Sequence, residues 1–166
     1  MTIAEFDHLE TAQKRALLFQ CCASQKWVEK MIHLPPAEDL IDLLEDAEET
    51  WYECREDDWK EAFTHHPKIG DMESLRKKFS TDQFTEKEQE SINDSSEKTL
   101  EELAVGNNLY QQKFGYIFIV FATGKSAEEM LGMLQSRLNN NPEEEIKIAM
   151  EEQNKITQHR LQKLFV

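Results

Sequence analysis

The sequence predicts an all-α fold, a single-domain bundle of about eight helices spanning residues 1–166. Glycine and proline are scarce, with 5 and 4 copies in 166 residues, so helix breakers are few. Apolar residues recur at helical spacing along most of the chain. The β-branched and aromatic run 117–122 has no second strand candidate to pair with. We therefore expect a buried extended segment or an irregular helix there, and no sheet.

The first part of the chain divides into four predicted helices. They are a helix over 5–21, a short helix that Ser24 caps and Pro35-Pro36 ends, a helix over 36–53, and a short helix from Asp57 or Asp58 through Ala62. The last of these leads into a loop that contains His65, His66 and Pro67.

The second part begins with a weak helix over 72–79 and a linker over 81–84. Further helices are predicted from Thr85 to Ile92, over 94–112, over 126–138, and from Pro142 to Leu164. Proline at the first helical position, followed by three glutamates, is typical of a helix start.

Composition limits the possible partners and compartments. The formal net charge of −14 argues against nucleic acid and against anionic membranes, which both favour a basic surface. We find no apolar run of membrane-spanning length, no signal peptide at the start and no Ser-Lys-Leu peroxisomal signal at the end. Three cysteines, two of them adjacent, suggest buried thiols in a reducing compartment. These features predict a cytoplasmic protein.

His66 is the first candidate for chemistry. The proline after it disfavours helix, so the imidazole is expected on a stiff loop where it could serve as an acid or base. An ordinary polar loop is the alternative, and His65 is the alternative histidine. The histidines lack the spacing of a metal site, so we expect no metal. A metal-dependent hydrolase that uses His65 and His66 remains a third possibility.

Two further elements could belong to a site. Thr85 and Glu88 form a capping-box pattern, which explains both residues structurally, although Glu88 and Gln89 could also reach a ligand near that helix start. Arg160 falls on the apolar face of the last helix, a face that also includes the polar Gln153. A guanidinium there must extend past the apolar surface to solvent, pair with an acid, or bind an anion.

Five short motifs in order resemble the OHCU decarboxylase family, whose substrate is 2-oxo-4-hydroxy-4-carboxy-5-ureidoimidazoline. They are Cys21-Cys22-Ala23-Ser24-x-x-Trp27, His65-His66-Pro67-x-Ile69-Gly70, Thr85-x-x-Glu88-Gln89, Gly106-Asn107-Asn108-x-Tyr110-x-x-Lys113-Phe114-Gly115-Tyr116-x-Phe118 and Ala149-x-Glu151-Glu152-x-x-Lys155-Ile156-x-x-x-Arg160-Leu161. Thr85 departs from the family's usual serine but keeps the hydroxyl. Ala23 departs from a usual glycine, and we expect it to lie away from the site.

The resemblance implies a helical bundle with a central substrate cleft, a homodimer, and no cofactor. It implies decarboxylation of the anionic ureidoimidazoline to (S)-allantoin and CO₂ during urate breakdown, a reaction that also runs slowly and without stereoselectivity on its own. His66 would be the catalytic acid or base, and Glu88 would orient the substrate. The implied substrate-binding residues are Pro67, Thr85, Glu86, Lys87, Glu88, Gln89, Phe118, Ile119, Val120, Phe121, Ala122 and Arg160. The alternative from another class is a non-catalytic acidic helical module for protein interactions.

Overall fold

Every regular element in the described residues is a helix, which confirms the predicted all-α class. The computed structural model describes residues 1–68, 72–79 and 86–165, and only the helical backbone of residues 78 and 86–96. The helices are α1 (Ile3–Asp7), α2 (Thr11–Cys21), α3 (Gln25–His33), α4 (Leu40–Tyr52), α5 (Glu56–Thr64), α6 (Met72–Phe79), α7 (Glu86–Phe114), α8 (Ala127–Leu138) and α9 (Pro142–Leu164).

Side-chain caps decide where several helices begin. Ser24 accepts a hydrogen bond from the Trp27 amide at 3.3 Å and starts α3 as predicted. Asp39 caps α4, so the predicted start at residue 36 was too early. At α5 the expected cap was also wrong. Asp58 lies inside the first turn and accepts from the Arg55 amide at 2.9 Å.

The structure differs from the prediction at one unexpected helix break and at one expected break that is absent. The helix predicted over 5–21 is two helices, because the chain turns after Asp7 and α2 starts again where the Gln13 side chain accepts from the Glu10 amide at 3.0 Å. Conversely, α7 is continuous where two helices were predicted, since Asn93 and Asp94 disfavour a helix only mildly. It ends before Gly115, whose φ of 84° suits a residue without Cβ.

The first compact unit comprises the described residues of Met1–His66, Ile119–Phe121 and Ile146–Val166. Its core is built around two tryptophans that are almost completely buried. The Trp27 indole donates to the Ala47 carbonyl at 3.0 Å, and the Trp51 indole donates to the Met150 carbonyl at 2.9 Å. The second of these bonds ties α4 to α9, the helix that carries the candidate residues of this unit.

The second compact unit comprises the described residues of Pro67–Phe118 and Ala122–Glu145. Its α7 and α8 pack closely at Gly106, where an added Cβ would lie 2.6 Å from the Leu134 side chain. Arg76 of α6 holds Glu97 of α7 with two hydrogen bonds, at 2.6 and 2.9 Å. The single-domain organisation over 1–166 stays a prediction.

The segment predicted to be extended or irregularly helical is not a regular helix. Residues 117–122 belong to neither helix nor strand, and Ile119 is buried. Among the described helices, none combines the length and the apolar character that a membrane span requires.

Candidate functional site

His66 lies just beyond the end of α5, as the following proline predicted. The helix ends at Thr64, and the amides of His65 and His66 each donate at 3.3 Å to carbonyls in its last turn. The imidazole of His66 is half-buried. This exit fixes the backbone before His66 while leaving the ring outside the helix.

The ring of His66 contacts a buried polar chain on α9. Its Nε2 lies 2.5 Å from Oε1 of Gln153, whose side chain is 1% exposed. The side-chain amide nitrogen of Gln153 donates to the Thr157 hydroxyl at 3.2 Å. That hydroxyl donates to the main-chain carbonyl of Gln153 at 3.0 Å. Burial lowers the pKa of His66, the bond to Gln153 raises it, and the Arg160 charge and His65 lower it further.

Arg160 lies near the carbonyl end of α2. Its Nη1 donates to the Gln20 and Cys21 carbonyls at 3.4 and 3.3 Å, which are long hydrogen bonds to neutral acceptors. Arg160 takes part in none of the ion pairs between described residues. The ion-pair alternative therefore has no partner in that part of the chain, where the guanidinium instead meets two carbonyl dipoles.

A pocket of about 280 Å³ lies in the first unit beside these groups. It is lined by Phe19, Gln20, Ala23, Ala62, His65, His66 and Arg160. No lining residue is acidic, and the pocket presents one guanidinium and two imidazoles. Phe19 meets the His65 ring edge to face at 5.4 Å. The arrangement suits a small anion with a planar ring.

Ala23 corrects one expectation. This residue was expected to lie away from the site, yet it lines the same pocket as His66 and Arg160. The neighbouring thiols match the expectation of buried, unpaired cysteines. Burial raises the pKa of Cys21 to about 11 and that of Cys22 to about 12, so both stay protonated and are poor nucleophiles near neutral pH.

The non-helical segment 117–122 contacts α9 through Phe121. Its amide donates to Oε1 of Glu152 at 3.4 Å, and its ring meets His159 at 5.4 Å. Glu152 is buried and pairs with Lys155 at 2.6 Å. These partners are the chain neighbours of Gln153 and Arg160, so the predicted residues Ile119, Val120 and Phe121 join the first unit. They are not among the residues that line the pocket.

The remaining predicted site residues belong to the second unit or have side chains outside the described residues. Pro67, Phe118 and Ala122 belong to the second unit. Glu86, Lys87, Glu88 and Gln89 form the first turn of α7, and their side chains lie outside the described residues. Thr85 also lies outside them. Roles for Glu88 and for the predicted central cleft therefore stay predictions, as does the capping box.

Four polar or aromatic residues that make these contacts were not predicted from the sequence to belong to the site. Phe19, Gln20 and Thr157 carry no pattern that sets them apart from ordinary helix residues. Gln153 did carry a signal, because a polar amide on an apolar helix face needs a hydrogen-bond partner. In the described residues, no group of three or more His, Cys, Asp or Glu side chains is arranged to hold a metal ion.

Comparison with known proteins gives consistent matches. The OHCU decarboxylase family profile matches residues 7–162. The uric acid degradation bifunctional protein TTL of Arabidopsis thaliana is 36% identical over 148 residues, covering 87% of this chain and 45% of that protein. The Amia calva 2-oxo-4-hydroxy-4-carboxy-5-ureidoimidazoline decarboxylase is 43% identical over 56 residues, covering 34% of this chain and 32% of that protein. The chain thus spans less than half the length of these curated relatives.

Solved structures agree with the helical fold. A crystal structure of an OHCU decarboxylase, determined in the presence of (S)-allantoin, aligns with a TM-score of 0.70 at 35% identity, covering 89% of this chain and 95% of that one. An (S)-allantoin synthase aligns with a TM-score of 0.68 at 18% identity, covering 99% of this chain and 54% of that one, which supports the fold alone. With a profile match over nearly the whole length, this chain belongs to the OHCU decarboxylase family.

Proposed function

We propose that the protein decarboxylates 2-oxo-4-hydroxy-4-carboxy-5-ureidoimidazoline to (S)-allantoin and CO₂ in urate degradation. The observation that carries this proposal is the pocket that holds His66 and Arg160 without any acidic lining residue. A carboxylate substrate would supply the negative charge that the described ion pairs leave unmatched at Arg160.

The substrate supplies its own electron sink. When the bond between the ring carbon and the carboxylate breaks, its electron pair passes into the adjacent C=N bond, and the ring nitrogen takes a proton from water. The hydroxyl proton then passes to His66 as the hydroxyl-bearing carbon becomes a carbonyl. The imidazolium returns that proton to the neighbouring ring carbon on one face. Overall, a carboxylate and one proton give CO₂ and the product.

His66 suits this proton exchange because its pKa lies below the ordinary 6.5, owing first to burial. The ring is therefore mostly neutral at pH 7 and able to accept a proton. Arg160 would hold the carboxylate and direct it out of the ring plane, where the breaking bond overlaps the C=N bond. Glu88, Gln89 and the backbone of 118–122 remain the predicted orienting groups of this mechanism.

Circular dichroism of freshly prepared substrate tests the proposal. The uncatalysed reaction gives racemic product with no net signal. With the protein present, we expect the dichroism of (S)-allantoin to develop much faster than the substrate decays by itself. Absence of any optical activity would remove the proposal and favour the alternative of a non-catalytic interaction module. Loss of activity after exhaustive chelation would favour the metal-dependent hydrolase instead.

We also infer a cytoplasmic homodimer. The buried free cysteines of the described residues suit a reducing compartment. Val105 and Leu109, one turn apart on α7, are exposed apolar side chains that a second copy could cover. Sedimentation equilibrium would give twice the monomer mass for the proposed dimer and the mass of one chain otherwise. Fluorescence microscopy of the tagged chain tests the compartment.

A further inference from the structure

The imidazole of His66 has one hydrogen-bond partner among the described residues, the side chain of Gln153. The contact joins Nε2 of the ring to Oε1 of the amide, at 2.5 Å. An amide oxygen can only accept, so Nε2 must carry the proton. In the neutral ring this leaves Nδ1 with a lone pair, and no described group donates to it.

The orientation of the Gln153 amide follows from its other partner. The Thr157 hydroxyl donates its single proton to the main-chain carbonyl of Gln153 at 3.0 Å. Its oxygen can then accept from the amide nitrogen of Gln153, which lies 3.2 Å away. Reversing the side-chain amide would turn its nitrogen toward His66 and its oxygen toward Thr157. The Thr157 hydroxyl could then donate to that oxygen only by losing its hydrogen bond to the main-chain carbonyl of Gln153. Because Gln153 and Thr157 are both buried, that lost bond could not be replaced by water.

We propose that Gln153 is a positioning residue, held by Thr157, that fixes neutral His66 as the Nε2–H tautomer and leaves Nδ1 as the atom that exchanges a proton with the substrate. The catalytic half of this inference rests on the proposed function. The tautomer half does not, because it concerns the free protein.

Several charged or titratable groups surround this arrangement. In addition to burial, Arg160 on α9 and His65, which precedes His66 in the loop after α5, both lower the pKa of His66. Burial raises the pKa of the Cys21 thiol, at the end of α2, and the Arg160 charge lowers it, while the Cys22 thiol is hydrogen-bonded to Thr157. Both thiols stay protonated near neutral pH. Changes at Gln153 should therefore be read against a fixed positive charge from Arg160.

Nitrogen-15 NMR of the labelled full chain at pH 8 tests the tautomer directly. His66→Asn assigns the resonances, and the wild type should show one protonated nitrogen, Nε2. Gln153→Leu and Thr157→Val should convert this single form into a mixture of tautomers. Gln158→Leu is the matched control, since it removes another α9 amide that bonds to the Leu44 carbonyl at 2.9 Å. A protonated Nδ1 in the wild type, or an unchanged tautomer in Gln153→Leu, would overturn the inference.

The pH dependence of kcat/KM tests the catalytic half. Gln153→Leu should lower kcat by about 10- to 100-fold with little change in KM, because a positioned acid–base group supplies roughly 10²–10⁴-fold. The acid limb should shift to lower pH in Gln153→Leu. It should shift to higher pH in Gln153→Glu, where a carboxylate favours the imidazolium. Gln158→Leu should keep the wild-type profile.

The two halves fail separately. If Gln153→Leu changes the tautomer while both Gln153 variants keep the wild-type pH profile, Nδ1 is not the exchanging atom and the inference fails. If the wild type produces no optically active product, the proposed function fails, and the NMR spectra still decide whether Gln153 fixes the ring.

Discussion

Each unit has an arginine on an apolar helix face, and the two arginines differ in their hydrogen-bond partners. In the second unit, Arg137 is 5% exposed and approaches Oε1 of the fully buried Glu145 through two nitrogens, at 2.6 and 2.7 Å. Tyr110 donates to the same carboxylate, and Asn140 donates to its other oxygen at 3.0 Å. In the first unit, Arg160 donates, within the described part of the chain, to the two carbonyls at the end of α2.

This difference separates a structural arginine from a functional candidate. A buried charge that is paired and hydrogen-bonded is costly to leave without its partner and is not available to a ligand. A half-buried guanidinium that lines a pocket and has only neutral acceptors keeps its attraction for an anion. The comparison can be tested by removing each arginine and measuring stability and activity together.

The largest expected effect is on stability, at Arg137. Arg137→Met should lower the free energy of unfolding by about 3–5 kcal/mol, because it leaves the Glu145 carboxylate buried beside fewer donors. Urea unfolding at pH 7 measures the loss. Arg160→Met should cost less than about 1 kcal/mol in the same experiment, since its bonds are long and its acceptors are neutral carbonyls. Equal losses in the two variants would contradict the distinction.

The next effect is on substrate use, at Arg160. Arg160→Met should lower kcat/KM by about 10- to 100-fold, which corresponds to about 1.4–2.7 kcal/mol of lost transition-state binding. Steady-state kinetics on fresh substrate measures it. Arg15→Met is the matched control, because Arg15 is an exposed arginine of the same unit that pairs with Glu29. A change of similar size in the Arg15 variant would show that the effect is not specific to the pocket.

A smaller effect is expected at Tyr110. Tyr110→Phe removes a hydroxyl that donates to Glu145, while Arg137 and Asn140 still donate hydrogen bonds to that carboxylate. We therefore expect a loss of about 1–2 kcal/mol of unfolding free energy and unchanged kinetics. A double-mutant cycle with Arg137→Met should be non-additive because both side chains share one acceptor. Additive losses would mean that the three groups do not act as one cluster.

The smallest effect concerns pH and His66. The pKa of His66 is lowered in the folded state, mainly by burial, so below about its ordinary 6.5 the unfolded chain binds more protons than the folded one. Stability should therefore fall as the pH drops from 6.5 through the folded-state pKa, and should not change above 6.5 on account of this group. Urea titrations of the wild type and His66→Asn over this range measure the difference. A steeper fall in the variant would reverse the assigned sign.

The helical class was predictable because it depends on local spacing and on few breakers, both of which are readable in one sequence. The position of His66 after α5 was also predictable, since Pro67 constrains the residue before it. The break after Asp7 was not, because it depends on how Glu10 and Gln13 restart the helix. The continuity of α7 through Asn93 was likewise a matter of weak preferences.

The site was only partly predictable for a similar reason. His66 and Arg160 stood out as residue types in unusual positions, but their neighbours come from distant parts of the chain. Gln153 lies 87 positions from His66, and Cys21 lies 139 positions from Arg160. Glu145 was read as one of three acids at a helix start, while its burial beside Arg137 needed tertiary information.

The most direct measurement of the central claim is the circular dichroism of product formed from fresh substrate by His66→Asn. We predict that the variant folds like the wild type but yields racemic allantoin at the uncatalysed rate, a loss of roughly 10²-fold or more. His33→Asn, which changes an exposed histidine at the end of α3, should yield (S)-allantoin at the wild-type rate. Optically active (S)-allantoin from His66→Asn at the wild-type rate would contradict the account.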